Sequence, residues 1–171
     1  MGRGNPGADV VLVGEAPGEH EATCGIPFVG SAGKTLDRVL RLIGIDPVRD
    51  VWITNLVRHR PPENRKPKPK EVDSCIKILE EEIKIIRPKH LVALGGTAAS
   101  ALAGTTISIT AFAGKSFPIS EFPRLTGWGV RGTVFFQFHP AALLYDPALE
   151  KKFVENWLKF RKTYQLWEAG K

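Results

Sequence analysis

Sulfur is scarce in this chain of 171 residues, with two cysteines, Cys24 and Cys75, and one methionine. Two cysteines cannot build a disulfide framework, and their reduced state suits a reducing compartment. Long apolar runs are missing too: nothing approaches the roughly 18 residues of a membrane span. Residues 1–8 carry no apolar signal core, so a cytoplasmic protein with no membrane partner is expected. Internal repeats and linker-like composition shifts are also lacking, which predicts a single domain over 1–171. Acidic residues are in deficit, 18 against 24 basic, leaving +6. That excess favours a polyanionic partner without requiring one. The remainder is ordinary for a globular protein, 43% hydrophobic and 25% charged, and long enough to bury a core.

The hydrophobic pattern alternates strand and helix. Val10–Val13, Val51–Leu56, His90–Leu94 and Thr133–Phe138 read as strands. Lys34–Ile43 reads as a helix with Leu36, Val39, Leu40 and Ile43 on one face. Glu71–Ile86 carries the stripe Val72, Ile76, Leu79, Ile83 and Ile86, and Pro88 stops it. Thr97–Leu102 is a short helix after Gly95 and Gly96, and Leu149–Tyr164 closes the chain, burying Leu149, Phe153, Trp157 and Phe160. Residues 104–132 read as a loop with a small hairpin. The expected fold is α/β: a four-stranded, mainly parallel sheet covered on both faces. Ligands of such sheets bind beyond the carboxyl ends of the strands. Glu15, Asn55, Gly95 and His139 each follow or end a strand there.

Two familiar patterns fail on context. Gly2, Gly4 and Gly7 have dinucleotide-fingerprint spacing, but they precede the first strand instead of following it. Gly33-Lys34-Thr35 resembles the end of a P-loop, yet Phe28 stands where the upstream glycine is needed. Glu15, in a turn stiffened by Pro17, is either a loop carboxylate or a base that orients water. Phe28, between Pro27 and Val29-Gly30, is either core or a stacking platform for a base. Asn55 either caps a loop or reads a pyrimidine edge with its amide, and His139 is either structural or functional. The basic loop of residues 57–70 offers Arg58, Arg60, Arg65, Lys66, Lys68 and Lys70 to phosphates, or to solvent. Leu143, Leu144 and Tyr145 are either packed or exposed as a wedge for a duplex.

Taken together, GNP (4–6), GEAPGE (14–19), GIPFVGSAG (25–33), ITNLVRHRPPENRKP (53–67), ALGGTAA (93–99) and FHPAALLYDP (138–147) resemble the uracil-DNA glycosylase superfamily, closest to its family 4. The resemblance implies a three-layer α/β/α sandwich. It also implies hydrolysis of the N-glycosidic bond of deoxyuridine flipped out of DNA. In it Phe28 stacks on uracil, Asn55 reads the Watson–Crick edge, and Gly14 with the backbone at Ala16 borders the base. Glu15 positions water, and His139 donates toward uracil O2 as charge builds there. Gly30, Ser31 and Gly33 grip DNA phosphates, assisted by Arg60 and Arg65, while Leu143 or Leu144, beside Tyr145, fills the vacated stack.

Departures are equally specific. Family 4 usually carries a 4Fe-4S cluster on four cysteines. This sequence has His59 and Cys75 at two of those positions and Cys24 outside them, so no cofactor and no metal are expected. Glu21-Ala22 replaces an acidic pair, and Tyr145-Asp146 replaces Arg-Asn. A monomer acting on uracil-containing DNA is the expectation. The alternatives are a glycosylase for another base, such as hypoxanthine, or a lesion-binding relative without catalysis.

Overall fold

The computed structural model describes residues 2–169. Its centre is a six-stranded sheet: β1 (Arg3–Gly4), β2 (Val10–Gly14), β3 (Val51–Asn55), β4 (His90–Leu94), β5 (Lys115–Pro118) and β6 (Thr133–Gln137), in the order β1-β3-β2-β4-β6-β5. The four strands read from the sequence form its parallel middle. The expected four-strand sheet is corrected by two antiparallel edges, β1 on β3 and β5 on β6. Both edges are too short to show an alternating pattern, and β5 ends in Pro118. They close the sheet with strands too small to invite pairing by another chain.

Parallel strands buried on both faces are expected to be almost continuously apolar, and β2 and β4 are buried at every position. Alternation along them still sorts side chains to two layers. Val11, Val13, Leu91, Ala93, Val134 and Phe136 meet α3 (Pro69–Ile86) and α4 (Gly96–Ala103). Val10, Leu12, Ile53, Val92 and Phe135 meet α2 (Ser31–Leu42) and α8 (Glu150–Ala169). The result is the three-layer sandwich.

Helix α3 begins two residues before the expected start, because Pro69 suits the first helical turn and Glu71 accepts a hydrogen bond from the Lys68 backbone N–H at 2.7 Å. Leu149 falls in a 3₁₀ turn before α8 and stays half-buried, while Phe153, Trp157 and Phe160 are buried as expected. The stretch 104–132 holds more structure than a loop: α5 (Ile109–Phe112), β5 and α6 (Pro123–Gly127). Short helices α1 (Glu19–Cys24) and α7 (Ala142–Tyr145) complete the loops beyond the strand ends. Among the described residues no helix is long and apolar enough to cross a membrane.

Candidate active site at the carboxyl edge of the sheet

Parallel register levels the strand ends: Gly14 lies opposite Asn55, and Leu94 opposite Gln137. The loops leaving them enclose a cavity of about 440 Å³, lined among others by Glu15, Ala16, Phe28, Asn55 and His139. The backbone ties β2 and β3 beyond their ends, with Leu56 N–H donating to Gly14 O and Val57 N–H to Glu15 O. Gly14 itself is needed for close approach. A Cβ there would lie 2.4 Å from Phe28 Cζ and 2.5 Å from Asn55 Oδ1. Ring and amide therefore meet over one glycine.

Asn55 is 4% exposed, and its Oδ1 is buried with no hydrogen-bond partner among the described residues. An unmet buried acceptor costs about 1–3 kcal/mol, which a ligand N–H would relieve. Behind it, Glu82 on α3 accepts from Trp52 Nε1 (2.8 Å), Thr54 Oγ1 (3.0 Å) and Arg58 Nη2 (2.5 Å). That network fixes the end of β3. It also turns Arg58 inward, away from the phosphate role its place in the basic loop suggests.

Phe28 adopts a left-handed backbone, φ 55°, that suits glycine far better than a phenylalanine. Glu21 Oε1 accepts from the next two amides, Val29 N–H at 2.9 Å and Gly30 N–H at 2.7 Å. Gly33 abuts the same residue: a Cβ on it would fall 1.8 Å from Phe28 O. Gly33 is buried, so its expected phosphate contact is corrected to a packing role. The Gly30 N–H is already given to Glu21, so it too is not available to a phosphate. Ser31, at the exposed start of α2, remains at the cavity.

The Phe28 and His139 ring centroids lie 5.6 Å apart with planes tilted by 34°. His139 Nδ1 accepts from Ala141 N–H at 3.2 Å, which assigns the ring proton to Nε2. Burial pushes the imidazole pKa down to about 4, partly opposed by the Glu21 carboxylate. At pH 7 it is neutral, with Nε2–H as donor. The Glu15 carboxylate has neither hydrogen bond nor ion pair among the described residues.

Other expected contacts divide. Leu144 and Tyr145 are exposed, 51% and 89%, at the cavity rim, whereas Leu143 is packed into the core and cannot serve as the wedge. Arg65 lines the rim but forms a two-pronged pair with Glu71 at 2.8 and 2.7 Å, which holds the Glu71 carboxyl down to about 2. Arg60 donates to Asn64 Oδ1 at 2.8 Å and lies 3.5 Å from Glu19; it does not line the cavity. Several lining residues are not singled out as site residues by the sequence, among them Glu19, His20, Glu21 and Asn64. Glu21 acts across eight positions, which no local pattern shows. Asn64 sits in a left-handed turn, φ 55°; an asparagine after two prolines is the one cue for it.

His59 and Cys75 do come together, lining a second cavity of about 300 Å³ with Glu71. A four-iron cluster needs about four thiolate-type ligands. Among the described residues no three His, Cys, Asp or Glu side chains gather to hold a metal. Glu71 is committed to Arg65 and the Lys68 amide. The residues present do not fit a cluster.

Residues 1–161 match the family described as the Uracil DNA glycosylase superfamily. The chain is 40% identical over 164 residues to a type-4 uracil-DNA glycosylase of Archaeoglobus fulgidus, spanning 92% of this chain and 78% of that protein. A type-4 enzyme of Sulfurisphaera tokodaii is 40% identical over 170 residues, spanning 94% and 72%. One from Thermotoga maritima is 43% identical over 151 residues, spanning 88% and 73%.

Proposed function

The chain belongs to the uracil-DNA glycosylase superfamily, and from that premise we propose that it acts as a monofunctional uracil-DNA glycosylase on deoxyuridine flipped out of DNA into the 440 Å³ cavity. The supporting observation is the convergence, over one aromatic ring, of an unmet amide oxygen and a neutral imidazole donor.

Uracil stacks on Phe28. Asn55 Oδ1 accepts from uracil N3–H, and its Nδ2 donates to O4, a pairing that cytosine reverses. His139 Nε2–H donates to O2. The C1′–N1 bond breaks with its electron pair leaving on the base, and the sugar becomes oxocarbenium-like. A donor fixed at the leaving group strengthens as the anion forms, without having to move. With a pKa of about 4, His139 works as a hydrogen-bond donor and keeps its proton. Glu15 orients the water that attacks C1′ and takes the proton released, leaving an abasic site and the uracil anion, which is protonated at N1 by solvent. Leu144 enters the vacated stack. Ser31, at the positive end of α2, takes a phosphate. The protein works as a monomer without an iron–sulfur cluster.

Single-turnover cleavage of labelled oligonucleotides with one U·G, one U·A or one single-stranded uracil tests the proposal, beside Glu15→Ala. Alkali-sensitive product from the unaltered protein, lost in the variant, supports it. Binding without product would instead indicate a lesion-binding relative, or an enzyme for another base.

A further inference from the structure

Gly2, Gly4 and Gly7 have no nucleotide to bind, yet the first two have a structural purpose. A Cβ on Gly2 would strike the Trp52 ring at 2.3 Å, and one on Gly4 would strike Val51 O at 2.2 Å. The two glycines let β1 lie flat on β3, and the residue between them, Arg3, then reaches across to the Phe28 turn. Arg3 Nε donates to Pro27 O at 2.9 Å, and Nη2 donates to Phe28 O at 3.2 Å. The same Nη2 meets Asp37 Oδ1 on α2 at 2.6 Å. Both side chains of the pair are mostly shielded, 16% and 22% exposed.

Residues 27–30 are thus gripped from both sides. A guanidinium holds the carbonyls of 27 and 28, and the Glu21 carboxylate holds the amides of 29 and 30. Between them sits the left-handed Phe28, a conformation that persists only where its surroundings over-determine it. Hydrogen bonds from a charged donor are among the stronger neutral-pH restraints, and a forked guanidinium can hold two carbonyls and a carboxylate at once. No other described side chain donates to these two carbonyls.

We propose that Arg3, anchored by Asp37, is a positioning residue for the stacking ring: it fixes the left-handed turn that sets Phe28 under the base. Arg3 touches no substrate. Its effect on excision passes through Phe28, and the inference rests on Phe28 being the stacking platform.

A double-mutant cycle on the full chain tests this, using wild type, Arg3→Gln, Phe28→Ala and the double variant, with single-turnover excision and thermal midpoint read for each. Phe28→Ala is expected to lose activity. Arg3→Gln is expected to lose about tenfold in the wild-type background, in line with a misplaced contact, and to add no further loss to Phe28→Ala. Its fall in thermal midpoint should be the same in both backgrounds. A merely structural Arg3 would lower activity by equal factors in both, and that result overturns the proposal, as does an Arg3→Gln protein with full activity. Full activity in Phe28→Ala is a separate outcome: it removes the stacking reading, and the brace with it. Should Arg3→Gln fail to fold, Arg3→Lys takes its place in the cycle. Lysine keeps the charge beside Asp37 but lacks the fork, so a smaller loss confined to the Phe28 background is expected, and equal losses in both overturn the proposal.

Discussion

Two cavities share the 57–65 segment, and they differ in kind. The larger gathers polar atoms from three strand ends, with a neutral His139 donor and, among the described residues, an unmet Asn55 oxygen and an uncommitted Glu15. The smaller has His59 and Cys75 on its walls, but its one carboxylate, Glu71, is already saturated by Arg65 and a backbone amide. Volume alone therefore does not make a site. What separates the two is a buried acceptor, Asn55 Oδ1, left unmet at the larger one after folding.

That contrast can be broken most severely at Asn55. Asn55→Asp replaces the amide donor with an acceptor and should lower uracil excision on the order of 10⁴-fold, the scale for a mismatched buried hydrogen-bonding edge; unchanged single-turnover rates would remove Asn55 from the site. His139→Ala comes next, at about 10²-fold for loss of one donor to the leaving group, read in the same assay. His139 also has a pH signature. With a folded pKa of about 4 against an ordinary 6.5, the unfolded chain binds more protons between those values, so stability rises with pH there. The residue costs nothing above about pH 6.5, and its cost grows to at most about 3 kcal/mol as pH falls to 4. Denaturant melts at pH 4.5 and 7 should differ less for His139→Gln than for the unaltered protein.

Around the smaller cavity the expected effects shrink. Glu71→Gln releases Arg65 at the rim of the larger cavity, and excision should change by about threefold or less, as suits an exposed pair. Most of that change should vanish in high salt, where screening already weakens the pair. Cys75→Ser should leave excision within about twofold of the unaltered protein. Metal analysis of the purified protein should find no stoichiometric iron; iron with a broad visible absorption would make the second cavity a cofactor site.

The sequence made the larger cavity visible because its key residues sit where apolar strands break abruptly. Glu15, Asn55 and His139 are polar residues at the ends of Val- and Phe-rich runs, and parallel topology alone places such ends together. Burial was less legible. Gly33 looked like part of a phosphate-gripping turn, but α2 starts at Ser31 and carries it under the Phe28 carbonyl. Leu143 and Leu144 look alike in sequence, yet the turn of α7 sends only the first into the core. Glu21 reads in sequence as half of an acidic pair, and its grip on Val29 and Gly30 follows from a loop path that periodicity does not encode. Edges β1 and β5 were hidden by their brevity, and with β1 went the reach of Arg3.

The strand order carries one last consequence, for the growing chain. The imidazole donor arrives just after β6, which pairs with both β4 and β5, and it must meet groups at positions 15, 28 and 55. Contacts this distant in sequence close late in folding. A nascent or refolding chain should therefore recover its secondary structure before it recovers excision, and no amino-terminal fragment ending before His139 should cut uracil from DNA at the native rate.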